Sequence, residues 1–344
     1  MDALNKYEED IDEVAKALPI SNGKFLITGA TGLIGRCIIE TLLLANKKYH
    51  TNFKIYALAR SEERIKSKLG DDVIPIVQNI TEKLNNAFEF DYIIHAASNA
   101  DPRTYAEQPV ETILTNVIGS QNIFEYCLNH KNVKVLLTSS FEVYGKVEGQ
   151  DLYKEGMNGM LDFEMLRNGY PESKRCAELL LKGYVQEYGI RAVIARMASI
   201  YGPTMLESDS KAHAQFIHNA INGEPIILKS EGKQRRTYCY VVDAVSAIFK
   251  ILLEGHPGEA YNVSYENSVA SIAEVAKVVA DITETSVIFG KPDKIEQRGF
   301  SKAQNCILDN TKLKQLGWNG KFNLRQGMEH TIESLKDEKS KEKI

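Results

Sequence analysis

A chain of 344 residues, 43% hydrophobic and 26% charged, holds enough apolar side chain for one large domain or two unequal ones and excludes a fibre, a collagen or a disordered chain. Its formal charge of -4 is spread along the sequence, which excludes the basic stripe that neutralises a nucleic-acid backbone, and no apolar run approaches the length of a membrane span. The five cysteines, Cys37, Cys127, Cys176, Cys239 and Cys306, are too far apart for a zinc or dithiol pattern, so a reducing cytoplasm and no metal are expected.

Residues 1–22 read as a helical extension. Met1–Leu18 carries six acidic and two basic residues, the reverse of a signal peptide's basic head and apolar run. Over 23–200, short β-branched and apolar runs at 24–28, 53–59, 73–77, 92–96, 133–138 and 192–195 alternate with helical stretches, the longest around 106–129 and 171–188. Parallel strands joined by helical crossovers produce that alternation, so the predicted fold is α/β, a Rossmann-type doubly wound parallel sheet with both faces covered. After Gly202-Pro203 the rhythm breaks. Strands at 225–228, 237–241 and 259–263 and helices at 212–222, 272–281 and 311–316 suit a smaller C-terminal α/β substrate lobe over 201–330, from which the chain is free to cross back to the sheet. Residues 331–344 mix charges of both signs and read as a solvated tail.

The run Phe25-Leu-Ile-Thr-Gly-Ala-Thr-Gly-Leu-Ile-Gly35 passes from a buried strand into an apolar helix. Gly29 permits a tight turn, Gly32 lets backbone approach a pyrophosphate, and Gly35 lets helix and strand lie close. With Thr31, Leu33 and Ile34 between them, the free N–H groups of the helix start suit a dinucleotide's phosphates. An acidic side chain at the end of the second strand normally holds the ribose 2′-hydroxyl. Here the chain has Ala59-Arg60-Ser61; Arg60, with Ser61 and Arg64, suits a 2′-phosphate and tilts the cofactor from NAD towards NADP, while stacking of Arg60 on adenine beside NAD stays open.

Tyr170 and Lys174 lie four residues apart in Gly169-Tyr-Pro-Glu-Ser-Lys174, on one face of a helix. A phenol titrates near 10, and it becomes a base at neutral pH only where a cation favours phenolate. An ammonium on the same helical face is such a cation.

The glycine loop, His95-Ala-Ala97, Asn116-Val-Ile-Gly119, Thr138-Ser-Ser-Phe-Glu-Val-Tyr-Gly145, Tyr170-Pro-Glu-Ser-Lys174 and Ser199-Ile-Tyr-Gly-Pro203 occur in this order, and as a set they resemble the extended short-chain dehydrogenase/reductases, in particular their nucleotide-sugar epimerase/dehydratase branch. Gln234-Arg-Arg-Thr-Tyr-Cys-Tyr-Val-Val-Asp243, Tyr261-Asn-Val263 and Leu316-Gly-Trp318 resemble later landmarks of the same branch, and the likeness covers about residues 23 to 330. It implies tightly bound NAD(P) along the glycine loop, Ile80, Ala96, Ala97 and Asn116, with Lys174 on the nicotinamide ribose. Tyr170 would be the acid/base at a sugar 4-hydroxyl, with Ser140 on the same oxygen and Lys174 lowering the tyrosine's pKa. It further implies a homodimer formed through the two long helices.

Oxidation at C4 leaves epimerisation, loss of water across C5–C6, and loss of a C5 carboxylate all open. In the dehydratases that this chain resembles, a glutamate at the place of Glu142 takes the C5 proton and an acid before it protonates the leaving hydroxyl. Here that position is Phe141, which has no proton to give. The segment Arg167–Arg175 and Tyr201-Gly-Pro203 with Met205 are similar to UDP-glucuronate decarboxylases, although those carry Thr-Ser-Glu before the valine and arginine at the place of Thr204. Glu142 is expected either as base or as a positioning group. Guanidinium groups match a diphosphate, and Arg236 and then Arg298 are the candidates. Ser98, Asn99, Thr138 and Ser199 are expected at the sugar, and Met205 to Lys211 over the nucleotide. His95 is expected to be structural, and the methionines at 157, 160 and 165 to pack over the mouth of the site. A one-way keto-sugar reductase and a non-catalytic cofactor-binding regulator are the remaining alternatives.

Overall fold

The computed structural model describes residues 5–300 and 304–342. Its centre is a seven-stranded sheet made of β1 (Asn22–Thr28), β2 (Asn52–Ala59), β3 (Ile74–Val77), β4 (Tyr92–His95), β5 (Lys134–Ser140), β7 (Arg191–Met197) and β11 (Ala260–Val263). The order is β11-β7-β5-β4-β1-β2-β3, and every neighbouring pair is parallel. Successive side chains point to opposite faces of a strand. Phe25 and Ile27 accordingly enter one hydrophobic core and Leu26, between them, enters the other, so both faces are dry. Strand order reverses between β1 and β4, which opens a crevice at their carboxyl ends.

Helices α2 (Leu33–Tyr49), α3 (Glu62–Leu69), α4 (Pro102–Glu107), α5 (Pro109–Asn129), α6 (Gly169–Tyr188) and α8 (Val241–Glu254) supply the crossovers. The stretch expected as one helix from 106 is two, because Pro109 has no N–H to continue a ladder and instead opens α5. Strand 259–263, expected in the second lobe, pairs with β7 and completes the main sheet.

The smaller lobe contains a three-stranded sheet of β8 (Ser199–Tyr201), β10 (Arg235–Tyr240) and β12 (Val269–Ser271), and two strand pairs, β9 (Ile226–Leu228) with β13 (Val287–Phe289) and β6 (Leu152–Tyr153) with β14 (Ile307–Leu308). Around them lie α7 (Ala212–Ile221), α9 (Ile272–Thr283), α10 (Lys294–Gly299) and α11 (Thr311–Gln315).

Two terminal elements belong to the core. Helix α1 (Lys6–Ala17) opens with a reciprocal Asn5/Glu8 capping box and buries Tyr7, Ile11 and Ala15 at four-residue spacing. Of the expected solvated tail, residues 331–342 are instead the end of α12 (Leu324–Glu342), with Thr331, Ile332, Ser334 and Leu335 buried, and residues 343–344 lie outside the described residues. Charge on one face concealed an apolar stripe on the other. Asp10 ties the two helices to the lobe, accepting from Tyr240 Oη at 3.1 Å and meeting His330 Nδ1 at 2.7 Å.

Candidate active site

The crevice beyond β1 and β4 widens into a cleft of about 870 Å³ that continues under the smaller lobe. At its inner wall Gly29 has φ +67°, a conformation that L side chains rarely adopt, and a Cβ there would stand 2.7 Å from the carbonyl oxygen of Ala96. A Cβ on Gly35 would overlap the carbonyl of Gly29. Gly32 caps α2 without a side-chain bond, leaving the first-turn amides for an anionic ligand. Thr31, Gly32, Leu33, Ile34, Gly35, Arg60, Ser61, Ile80, Ala96 and Ala97 all line this part of the cleft. The cradle that side chains would fill, ending in a bare helix N-terminus, fits a dinucleotide.

Not every expected cofactor residue reaches it. Asn116 is buried outside the cleft wall, where its amide donates to Ser173 Oγ at 2.9 Å and its carbonyl accepts from Ser98 Oγ at 2.8 Å. It fastens α5 to α6 behind the site. Arg60 and Ser61 do line it while making other contacts: Arg60 pairs with Glu111 of α5 at 2.8 Å, and the Ser61 hydroxyl accepts from the Arg64 amide as the cap of α3. His95 is buried against Thr28 Oγ1 at 2.8 Å, and burial beside Lys174 pulls its pKa down to about 3, the structural role expected of it.

Strand β5 runs on to Ser140, two residues past its predicted end, and delivers Thr138, Ser139 and Ser140 to the cleft. Helix α6 brings Tyr170 and Lys174 to the same place, both almost fully buried. Lys174 Nζ donates to the carbonyl of Thr138 at 2.8 Å. Burial pulls its pKa down to about 8, and Glu178 one turn further opposes that fall. Burial pushes Tyr170 up to about 12, and the Glu142 carboxylate adds to the rise, while Ser140, Tyr105 and Arg167 act against it.

Glu142 follows β5 in a one-turn 3-10 helix whose amide donates to Ser140 Oγ at 3.2 Å. Its carboxylate faces the cleft and meets Arg167 Nη2 at 2.7 Å. Tyr105 of α4 stacks on Tyr170 with ring centroids 4.4 Å apart, and the Arg167 guanidinium lies 5.4 Å from the Tyr105 centroid. Sequence reasoning gave Tyr105 no role, since 65 residues separate it from Tyr170 and no local pattern joins them. Arg167 did leave a signal. It stands just before the N-terminus of α6, where a cation opposes the helix dipole, so an acidic partner had to be sought elsewhere in the chain.

Ser98, Asn99, Thr138, Ser199 and Arg236 line the substrate side, and Arg236 rests 5.4 Å from the Phe141 ring centroid. Thr138 Oγ1 also donates to the carbonyl of His95. Met205 does not line the cleft: it is buried in the main core, while Leu206 and Ser208–Lys211 form that wall. Arg298 is exposed on α10 outside the lining, which takes Glu296, Gly299 and Phe300 from that helix end. The three methionines stay outside it too, with Met160 fully at the surface. Thr204 donates to the carbonyl of Leu33 at 2.7 Å, tying the chain after β8 to the glycine loop. Among the described residues no cluster of His, Cys, Asp and Glu forms a metal site.

A doubly wound parallel sheet with a glycine cradle and a Ser/Tyr/Lys cluster at one cleft defines a nicotinamide-dependent α/β enzyme class. The chain belongs to the NAD dependent epimerase/dehydratase family, whose model matches residues 25–264. It is 32% identical over 316 residues to UDP-glucuronic acid decarboxylase 6 of Arabidopsis thaliana, covering 90% of this chain and 87% of that protein. It is 29% identical over 321 residues to UDP-N-acetyl-alpha-D-glucosaminuronate decarboxylase of Bacillus cytotoxicus, covering 91% and 97%. The fold matches that of the UDP-glucose 4-epimerase of Thermotoga maritima solved with UDP-glucose, with a TM-score of 0.78 at 22% identity over 92% of this chain and 99% of that one.

Proposed function

We propose that the protein oxidises C4 of a nucleoside-diphosphate sugar and that its substrate is a uronic acid, which then loses its C5 carboxylate. The observation that carries the first step is the convergence of Ser140, Tyr170 and Lys174 in the cleft that holds the glycine cradle. A nicotinamide bound there supplies a hydride acceptor at C4. Tyr170 takes the proton of the 4-hydroxyl, Ser140 orients that oxygen, and Lys174 holds the ribose beside it. Burial pushes the phenol's pKa up to about 12, so it keeps its proton at neutral pH; the positive charge of an oxidised nicotinamide is what favours phenolate.

A C4 ketone makes the bond to the C5 carboxylate breakable. Its electron pair moves onto the ketone oxygen as carbon dioxide leaves, and a proton then enters at C5. Phe141 supports this reading over dehydration, because the ring beside Arg236 has no proton for a departing hydroxyl. Similarity to two uronate decarboxylases supports it as well. Arg236 binds the diphosphate or the carboxylate, and Ser98, Asn99 and Ser199 meet the sugar. Incubation with UDP-glucuronate and other nucleoside-diphosphate sugars, followed by mass, tests the reading: loss of carbon dioxide supports it, whereas an unchanged mass or loss of water moves it to epimerase or dehydratase.

For the cofactor, NADP is favoured by a β2 end that offers Arg60, Ser61 and Arg64 and no acidic side chain to the cleft. The Arg60–Glu111 pair is exposed, and such pairs contribute only about 0–1 kcal/mol, so a 2′-phosphate can redirect Arg60. Comparing NADP with NAD affinity in Arg60→Ala tests this. Val110, Ile113 and Leu114 on α5 and Leu179 on α6 are exposed apolar residues on packed helices, which supports a homodimer that buries them; the mass in solution decides it.

A further inference from the structure

Arg167 and Glu142 both line the cleft beside Tyr170. The arginine side chain is 4% exposed and the glutamate 17%, so the carboxylate is the more open member of the pair. The 3-10 turn Leu166–Asn168 that carries Arg167 is itself fixed, since Asn168 Nδ2 donates to the carbonyl of Asp162 at 2.8 Å. Burying a guanidinium costs several kcal/mol unless a partner neutralises it. A surface location would have avoided that cost, and the chain places the pair at the reacting end of its cleft.

We propose that Arg167 is a positioning residue: it holds the Glu142 carboxylate in place at the cleft for the step that follows C4 oxidation. The inference rests on the reading that a 4-keto sugar forms here. The groups that face Glu142 are Arg167, Tyr170 of α6, Tyr105 of α4 and Cys306 beside β10, with Arg236 over the adjacent Phe141. Arg167 is the cation in direct contact. Without Arg167 the carboxylate loses its fixed place, and the step after hydride transfer from C4 is the one that fails.

The experiment mixes the cofactor-loaded protein with UDP-glucuronate and follows reduced nicotinamide by absorbance and product by mass. In Arg167→Met, reduced nicotinamide accumulates and product formation falls by at least about a hundredfold, the scale of a positioned acid or base. Arg167→Lys restores part of the rate. Glu142→Gln and the double variant Glu142→Gln/Arg167→Met, which leaves no unpaired buried charge, should be equally slow, because the arginine acts through the glutamate. Product formation by Arg167→Met within threefold of wild type, or a double variant much slower than Glu142→Gln, overturns the proposal. If the wild-type protein yields no reduced nicotinamide with any nucleoside-diphosphate sugar, the reading of C4 oxidation has failed instead.

Discussion

Lys174 should make the protein more stable as the solution becomes alkaline, and the size of the effect follows from its burial. Its ammonium is buried and its pKa is depressed from 10.5 to about 8. The unfolded chain therefore binds this proton more tightly than the folded one. Between those two values the unfolded state holds more protons, so stability rises with pH. Below about pH 8 the folded protein carries the full cost of a buried ammonium. At about 1.36 kcal/mol per unit, the 2.5 units between the values correspond to an upper bound of about 3 kcal/mol, less whatever unfolded-state structure and local opening remove. Lys174→Met eliminates the titrating group. Urea unfolding of both proteins without cofactor, at several pH values from about 7 to 10, measures the difference between their stabilities, which cancels the other tyrosines and cysteines. That difference should change in favour of the wild type by about 2 kcal/mol across the window, while turnover by Lys174→Met is lost. Parallel stability curves would refute the reasoning, since they would mean that Lys174 is solvated.

Gly35→Ala should abolish cofactor retention and lower stability by about 1–3 kcal/mol, the usual cost of overpacking, because the new methyl meets the Gly29 backbone; cofactor absorbance and a thermal melt check both. Ile332→Ala should cost about 2–4 kcal/mol by chemical unfolding, a result that a solvated tail would not give. Tyr170→Phe should retain fold and cofactor, and lower turnover by at least about a hundredfold.

Much of the fold was legible because its signals are local. Runs of β-branched residues separated by helical stretches marked the parallel strands, and the glycine spacing marked both the turn and the close helix. The rest depended on contacts between distant segments. Strand 260–263 joins the main sheet through pairing with β7, which no property of its own four residues announces. The last helix was hidden because lysine and glutamate cover one face of it, while Ile332 and Leu335 pack on the other. In the site, Tyr170 and Lys174 were readable from type and spacing, and Ser140 from the family resemblance. The Glu142–Arg167 pair and the Tyr105–Tyr170 stack join separate elements, and Met205 and Arg298 sit near the cleft in sequence yet turn away from it in space.

The central claim is oxidation at C4 with Tyr170 as the proton acceptor. Its most direct test is stopped-flow absorbance of the nicotinamide on mixing the loaded protein with UDP-glucuronate and with its C4-deuterated form. The account expects reduced cofactor to appear, more slowly with deuterium, and not to appear in Tyr170→Phe. Product formed with no deuterium effect and no change in nicotinamide absorbance would contradict it.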